Sequence, residues 1–208
     1  ASAKVNWKSL VEVGIAPPYP YLEAVGNRGH DLGLLTGAQN VHEQDKGAFT
    51  GEIGAAMLKD IGCQFVIVGH SERRAYFDES SELVASKAQK AVDHQLIAVV
   101  CVGETEQQRE AEETNEVIRG QLAPVLALKL APEKLVIAYE PVWAIGTGKT
   151  ATPQMAQQAH EFIRSQLVEA YGEQQGQAVR IIYGGSVKSG NIKELMAQAD
   201  INGGLVGG

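Results

Sequence analysis

Apolar residues in this chain gather in short consecutive runs: Val11–Ala16, Leu34–Ala38, Phe65–Val68, Ile97–Val102, Leu135–Tyr139, Arg180–Tyr183 and Gly204–Val206. A strand with one wet face alternates apolar and polar positions, whereas a strand of a parallel sheet covered on both faces is apolar at successive positions. The runs therefore predict about seven parallel strands. Between them lie stretches with helical spacing, Gly54–Ile61, Ser80–His94, Glu112–Leu128 and Pro153–Tyr171, long enough to serve as crossovers. Two of these carry start signals. Thr152 can cap the free amides of a first turn in which Pro153 loses nothing by lacking an N–H, and Asp78-Glu79-Ser80-Ser81 sets acids and hydroxyls ahead of the Leu83–Val92 run.

Strand and helix patterns alternate from end to end without a Pro/Ser-rich linker or low-complexity tract, which predicts one α/β domain over residues 1–208. The alternation suits either an open doubly wound sheet or a closed barrel, and periodicity alone does not choose.

Composition narrows the partners. The 208 residues carry a formal charge of −7, with 18 Lys+Arg against 25 Asp+Glu and no basic tract, which argues against a nucleic-acid backbone as partner. The longest strongly apolar run, Leu96–Val102, is far short of the roughly 20 residues needed to span a bilayer. Cys63 and Cys101 cannot build a disulfide framework, and Ala1-Ser2-Ala3-Lys4 lacks a hydrophobic signal region. A reducing, cytoplasmic compartment is the expectation.

In parallel α/β folds the reactive groups sit at the carboxyl ends of strands. After Phe65–Val68 comes Gly69-His70-Ser71-Glu72-Arg73-Arg74; after Ile97–Val102, Gly103-Glu104-Thr105; after Leu135–Tyr139, Glu140-Pro141-Val142-Trp143; after Arg180–Tyr183, Gly184-Gly185-Ser186; and after Leu205-Val206, Gly207-Gly208. A histidine at a strand end is commonly a cap, and glycine pairs are commonly plain turns. Glu140 is harder to read as a solvated charge, because it follows a fully apolar strand and precedes a proline. Glycine turns that lead into helices can also offer free amides to phosphate. Gly148-Lys149-Thr150 looks like the end of a phosphate-binding P-loop, but the glycine required five positions earlier is Trp143. Gly146–Ala151 matches the loose dinucleotide fingerprint but is separated from its strand by Glu140–Ile145, so a Rossmann site is rejected. What remains is a bulky anchor, Trp143, a small-residue tip and a helix start at Pro153, the composition of a lid over a site.

Two segments, Ala138-Tyr139-Glu140-Pro141-Val142-Trp143-Ala144-Ile145-Gly146-Thr147-Gly148 and Val68-Gly69-His70-Ser71-Glu72-Arg73-Arg74, resemble the triosephosphate isomerase family. The likeness continues through Gly37–Asn40, Gly47–Glu52, Cys101–Thr105, Tyr183–Val187 and Leu205–Gly208, and so covers nearly all of the chain from Val11 onward. The resemblance implies a (β/α)₈ barrel that interconverts dihydroxyacetone phosphate and glyceraldehyde 3-phosphate, a step of glycolysis and gluconeogenesis, without cofactor or metal. It implies that Glu140 is the base, that His70 polarises the substrate oxygens, and that Glu72 belongs to the catalytic group. Amides near Gly146, Ser186, Gly207 and Gly208 are expected to hold the phosphate. Pro141, Val142, Trp143, Ala144, Ile145, Gly148 and Lys149 are expected to form the lid. Gln39–Gly51 resembles an interface loop whose tip, near Thr50, reaches a partner's site, so a homodimer or higher homo-oligomer is expected.

The resemblance fails at the ends. The family's first strand ends in Asn-x-Lys, and this chain has Asn6-Trp7-Lys8. Only Ser9 and Leu10 separate it from the next strand, too few for a parallel crossover. Ala1–Leu10 is therefore read as the remnant of a connection, and the match at Lys8 as coincidental. A full barrel runs to roughly 250 residues, so the expectation is an incomplete barrel lacking its first βα unit and last helix. Its open edges would favour a strand-swapped assembly. With the lysine absent, a catalytically silent barrel that at most binds phosphate stays open beside an isomerase.

Overall fold

The computed structural model describes residues 11–145, 147 and 149–207. Ala1–Leu10, with Asn6 and Lys8, lie outside the described residues, as do Gly146, Gly148 and Gly208. Six strands, β1 (Gly14–Ile15), β2 (Leu35–Ala38), β3 (Phe65–Val68), β4 (Ile97–Val102), β5 (Leu135–Tyr139) and β6 (Arg180–Tyr183), form one sheet in sequence order, each parallel to the next. The crossovers are α1 (Leu22–Leu32), α2 (Ala55–Asp60), α3 (Ser71–Tyr76), α4 (Ser81–Asp93), α5 (Glu106–Glu110), α6 (Thr114–Ala127), α7 (Pro153–Tyr171) and α8 (Glu173–Ala178). After β6 comes the short α9 (Ile192–Leu195).

Burial on both faces explains the consecutive apolar runs. One parity of the strands, Val66, Val68, Val100, Ile137 and Ile181 among them, packs beneath the helices, where α4, α6 and α7 contribute Val84, Ile118 and Ile163. The other parity forms a separate inner cluster of Ile67, Val99, Cys101, Val136 and Ala138, with Ala16, Phe65, Ile182 and Leu205 packed around it. Ala16 follows β1 and Ile182 lies on β6, so the sheet has curled until its first and last strands share a core. The Glu12 carboxylate beside β1 also pairs with the Arg180 guanidinium at the start of β6. This is an incomplete barrel.

The expectation of seven strands is corrected to six. Gly204–Val206 supplies one parallel bridge, Gly204 to Tyr183. Around it Asn202 N–H donates to Ile181 O at 2.8 Å, Tyr183 N–H to Gly203 O at 3.0 Å and Leu205 N–H to Tyr183 O at 2.9 Å. The segment follows β6 but pairs only on that side among the described residues, too briefly for a full strand. The run at Val11–Ala16 shortens to Gly14–Ile15 for a similar reason: its ladder is with β2 alone, and Val11, Val13 and Ile15 are exposed.

Candidate active site

The site grows from the carboxyl ends of β3, β4, β5 and β6, which the register places side by side: Val68 opposite Val100, Val102 opposite Tyr139, and Tyr139 opposite Tyr183. The ladder runs one residue past β5. Glu140 N–H donates to Val102 O at 2.8 Å, and Gly184 N–H donates to Tyr139 O at 2.7 Å. Glu140 is thereby fixed at the sheet end and is only 2% exposed.

The neighbours of Glu140 are small because the chain approaches closely. A Cβ on Gly103 would sit 1.8 Å from the Glu140 carbonyl oxygen, and one on Gly184 would sit 2.9 Å from Glu140 Cγ. Gly103 is itself held from behind, its N–H donating to Gln121 Oε1 at 2.7 Å and its carbonyl accepting from Gln121 Nε2 at 3.0 Å.

His70 reaches the same point from β3. Gly69 turns the chain with φ +69°, where a side chain would be strained and would meet Val84, and His70 then becomes the N-cap of α3. Its Nε2 lies 2.9 Å from Glu140 Oε1, while Glu140 Oε2 accepts the Ser71 N–H at 2.8 Å. On the other side of the ring, Nδ1 accepts the Glu72 N–H at 3.4 Å. An acceptor at Nδ1 leaves the proton on Nε2, where it is donated to Glu140. The hydrogen bond to Glu140 raises the His70 pKa above its ordinary value, against burial, which lowers it.

Below this pair, Arg74 donates to Gly69 O at 3.0 Å and Cys101 O at 3.2 Å, and so ties the β3 and β4 ends together. Cys101 is fully buried on the inner face, and burial holds its thiol well above the ordinary cysteine value.

The segment after Glu140 is anchored by a residue to which sequence reasoning gave no role. Glu104 is wholly buried; its Oε1 accepts from Trp143 Nε1 at 2.9 Å and from Arg109 Nη1 at 3.0 Å, and Tyr139 Oη lies 3.1 Å from both its oxygens. The Arg109 guanidinium covers the Trp143 ring at 4.7 Å. A buried carboxylate without such donors would be costly. The signal was its position, immediately after Gly103 at the sheet end that carries Glu140.

The structure brings Glu140 and His70 together, with Gly184 against Glu140; of the other expected site residues, Gly146, Gly148 and Gly208 lie outside the described residues. Pro141 leads into a 3₁₀ turn, Val142–Ala144, in which Trp143 and Ala144 are buried. Ile145 follows as the turn's cap. Lys149 lies farther along and pairs with Glu106 on α5. Ser186 stands in the loop after β6, its carbonyl accepting from Asn191 Nδ2 at 2.9 Å, and Gly207 is two residues beyond the Leu205 that bonds to Tyr183. Glu72 enters through its amide; its carboxylate is 69% exposed and 3.7 Å from His70 Nδ1. Among the described residues, no cluster of three or more His, Cys, Asp or Glu could hold a metal ion. Both cysteines are free and buried, and no described helix is long and apolar enough to cross a membrane.

A buried carboxylate beside a histidine, at the end of a curled parallel sheet and between glycine turns, can move a proton on a small substrate. The sequence is also similar to known proteins. The sequence profile described as "Triosephosphate isomerase" matches residues 1–208. The chain is 54% identical over 200 residues to the triosephosphate isomerase of Stenotrophomonas maltophilia strain R551-3, covering 95% of this chain and 79% of that protein. It is 52% identical over 202 residues to that of Carboxydothermus hydrogenoformans, covering 96% and 80%, and 50% identical over 202 residues to that of Alkalilimnicola ehrlichii, covering 96% and 81%.

Proposed function

The chain belongs to the triosephosphate isomerase family, and from that premise we propose that it interconverts dihydroxyacetone phosphate and glyceraldehyde 3-phosphate through an enediolate. The observation that carries the reading is the buried Glu140 carboxylate within 2.9 Å of His70 Nε2.

In the described arrangement both Glu140 oxygens are engaged, one by His70 and one by the Ser71 amide. For catalysis Glu140 exchanges these partners for the substrate carbon and removes the proton next to the carbonyl. His70, with its proton on Nε2, then donates to the substrate oxygens, which accumulate charge as the enediolate forms. Loss of the Glu140 hydrogen bond removes the main influence that raises the His70 pKa, which favours the neutral imidazole during the reaction. Glu72 contributes by its amide, which keeps Nδ1 an acceptor.

The phosphate is assigned to backbone amides around Ser186 and Gly207, together with Gly146 and Gly208. Pro141–Lys149 is assigned as the lid that keeps water from the enediolate, with Trp143 as its fixed end. We further assign a homodimer or higher homo-oligomer. Phe49 in the Gln39–Gly51 loop and Tyr76 and Phe77 at the end of α3 are exposed, and the β1 edge is open to a second chain among the described residues. Two free thiols suit a reducing, cytoplasmic compartment.

The test is a coupled isomerisation assay run beside Glu140→Gln prepared identically. Turnover present in the parent and lost in the variant supports the assignment; equal background in both rejects it. Light scattering that gives a clean monomer rejects the oligomer.

A further inference from the structure

Behind the site, between β5, β6 and α7, three rings meet: Tyr139 and His160 are 5.7 Å apart edge to face, and His160 and Tyr183 are 6.3 Å apart. His160 is fully buried and Tyr183 nearly so. The Asp200 carbonyl lies 3.1 Å from His160 Nδ1. A carbonyl only accepts, so Nδ1 carries the proton, and in a neutral ring Nε2 is then an acceptor. Burial drives the His160 pKa down to about 4, which keeps the ring neutral.

Among the described residues, His160 Nε2 and Tyr183 Oη are both buried side-chain atoms without a hydrogen-bond partner. One is an acceptor by the argument above, and the other is a hydroxyl with a proton to give. Buried polar atoms are seldom left unpaired, and a donor and an acceptor on rings whose centroids are 6.3 Å apart can be joined by a small side-chain shift or one bridging water. The position of Tyr183 gives this consequence. Its hydroxyl lies where a Cβ on Gly185 would come within 2.2 Å of it and within 2.9 Å of Pro141 Cγ, and the Ala151 backbone amide is near enough to moderate the rise of its pKa to about 12. The hydroxyl thus stands between the first residue after Glu140, the β6 loop and the chain just past Lys149.

We infer that His160 is a positioning residue: its Nε2 accepts a hydrogen bond from the Tyr183 hydroxyl, directly or through one water, and so turns the lone pairs of Tyr183 Oη toward the Ala151 amide just beyond the lid. His160 touches no substrate and acts through Tyr183. The inference rests on the isomerase reading only for its effect on turnover; the hydrogen bond itself is independent of it.

The experiment is ¹⁵N NMR of the histidine side chains in the full chain at neutral pH, repeated in Tyr183→Phe. The expected result is a neutral His160 with the proton on Nδ1 and an Nε2 resonance typical of a hydrogen-bonded acceptor, which moves toward the free-acceptor position in Tyr183→Phe. A proton on Nε2, or an Nε2 resonance indifferent to Tyr183→Phe, overturns the inference. In the coupled assay, His160→Leu is expected to lower kcat/KM by about 3–10-fold, the scale of one hydrogen bond. His160→Gln, which restores an acceptor, should recover most of that, and His160→Leu with Tyr183→Phe should lose no more than either alone. Additive losses overturn the coupling. A chain without turnover but with the expected spectra refutes the isomerase reading alone.

Discussion

Glu140 Oε1 lies 2.9 Å from His70 Nε2, and the two residues come from strands β5 and β3, with β4 between them. Between them, Gly103 at the end of β4 lets the Glu140 backbone approach closely, since a Cβ there would sit 1.8 Å from Glu140 O. Removing the carboxylate in Glu140→Gln should lower kcat by about 10²–10⁴-fold, the usual contribution of a positioned base. The same change should lower the His70 pKa, because the Glu140 hydrogen bond is the first cause of its rise. A group whose folded pKa is raised stabilises the fold below its unfolded value, and that contribution is lost as pH rises through the folded value. The stability difference between parent and variant should therefore be larger at pH 5 than at pH 8. Denaturant melts at the two pH values, with an NMR titration of His70, check both parts; a His70 pKa unchanged in the variant contradicts the pairing.

Gly103 and Gly184 flank Glu140 but should fail differently. A methyl at Gly103 meets backbone atoms, 1.8 Å from Glu140 O and 2.6 Å from its carbonyl carbon, so strands must part. Gly103→Ala should cost about 3 kcal/mol and roughly 6–12 °C in Tm. At Gly184 the nearest atom is Glu140 Cγ at 2.9 Å, part of a side chain that can turn. Gly184→Ala should cost less stability and more kcat. Thermal melts and the coupled assay on the two variants separate these outcomes; equal loss of Tm contradicts the distinction.

The sequence was legible where one physical cause dominated. The central strands Phe65–Val68, Ile97–Val102, Leu135–Tyr139 and Arg180–Tyr183 lie where their apolar runs lie, because burial on both faces leaves no alternation to misread. The helix Pro153–Tyr171 begins at its capped proline, with Thr152 Oγ1 accepting the Met155 N–H at 3.2 Å. α3, α5, α8 and α9 are too short to express a 3.6-residue period, and α1 contains Gly26 and Gly29 where helix propensity is poor. In the site, Glu140 and His70 could be found from their places after strands. The Glu104 anchor could be seen as a residue but not as a role, since its three donors come from Tyr139, Trp143 and Arg109, which only the fold assembles.

That anchor makes its own prediction. Glu104→Ala strands the Tyr139 hydroxyl, the Trp143 N–H and one arm of Arg109 in a buried space, and breaking such an arrangement costs about 3–5 kcal/mol. Trp143→Phe removes a single donor and keeps most of the ring, and should cost about 1 kcal/mol. If Trp143 is the fixed end of the lid, Trp143→Phe should also raise KM more than the small stability loss implies. Urea melts and steady-state kinetics on both variants decide the matter, and a Glu104→Ala chain as stable as the parent contradicts the anchor.

A third buried carboxylate, Glu79, just before α4, joins α3 to α4. Its Oε1 accepts from both Lys87 Nζ and Arg73 Nε at 2.5 Å, and Lys87 also donates to Asn40 Oδ1 at 3.0 Å. Glu79 Oε2 is buried with no partner among the described residues, so the carboxylate depends on those two cations. Lys87→Met keeps the length of the side chain and removes its charge. It leaves Glu79 with Arg73, which is 26% exposed, and leaves Asn40 Oδ1 without its donor. The loss should be about 3–5 kcal/mol. Glu79→Gln in the Lys87→Met background should recover part of it, because a neutral amide no longer needs a buried counter-charge. Paired urea melts of the single and double variants test this: recovery in the double variant locates the cost in the uncompensated charge, whereas additive loss would place it in packing around Lys87 instead.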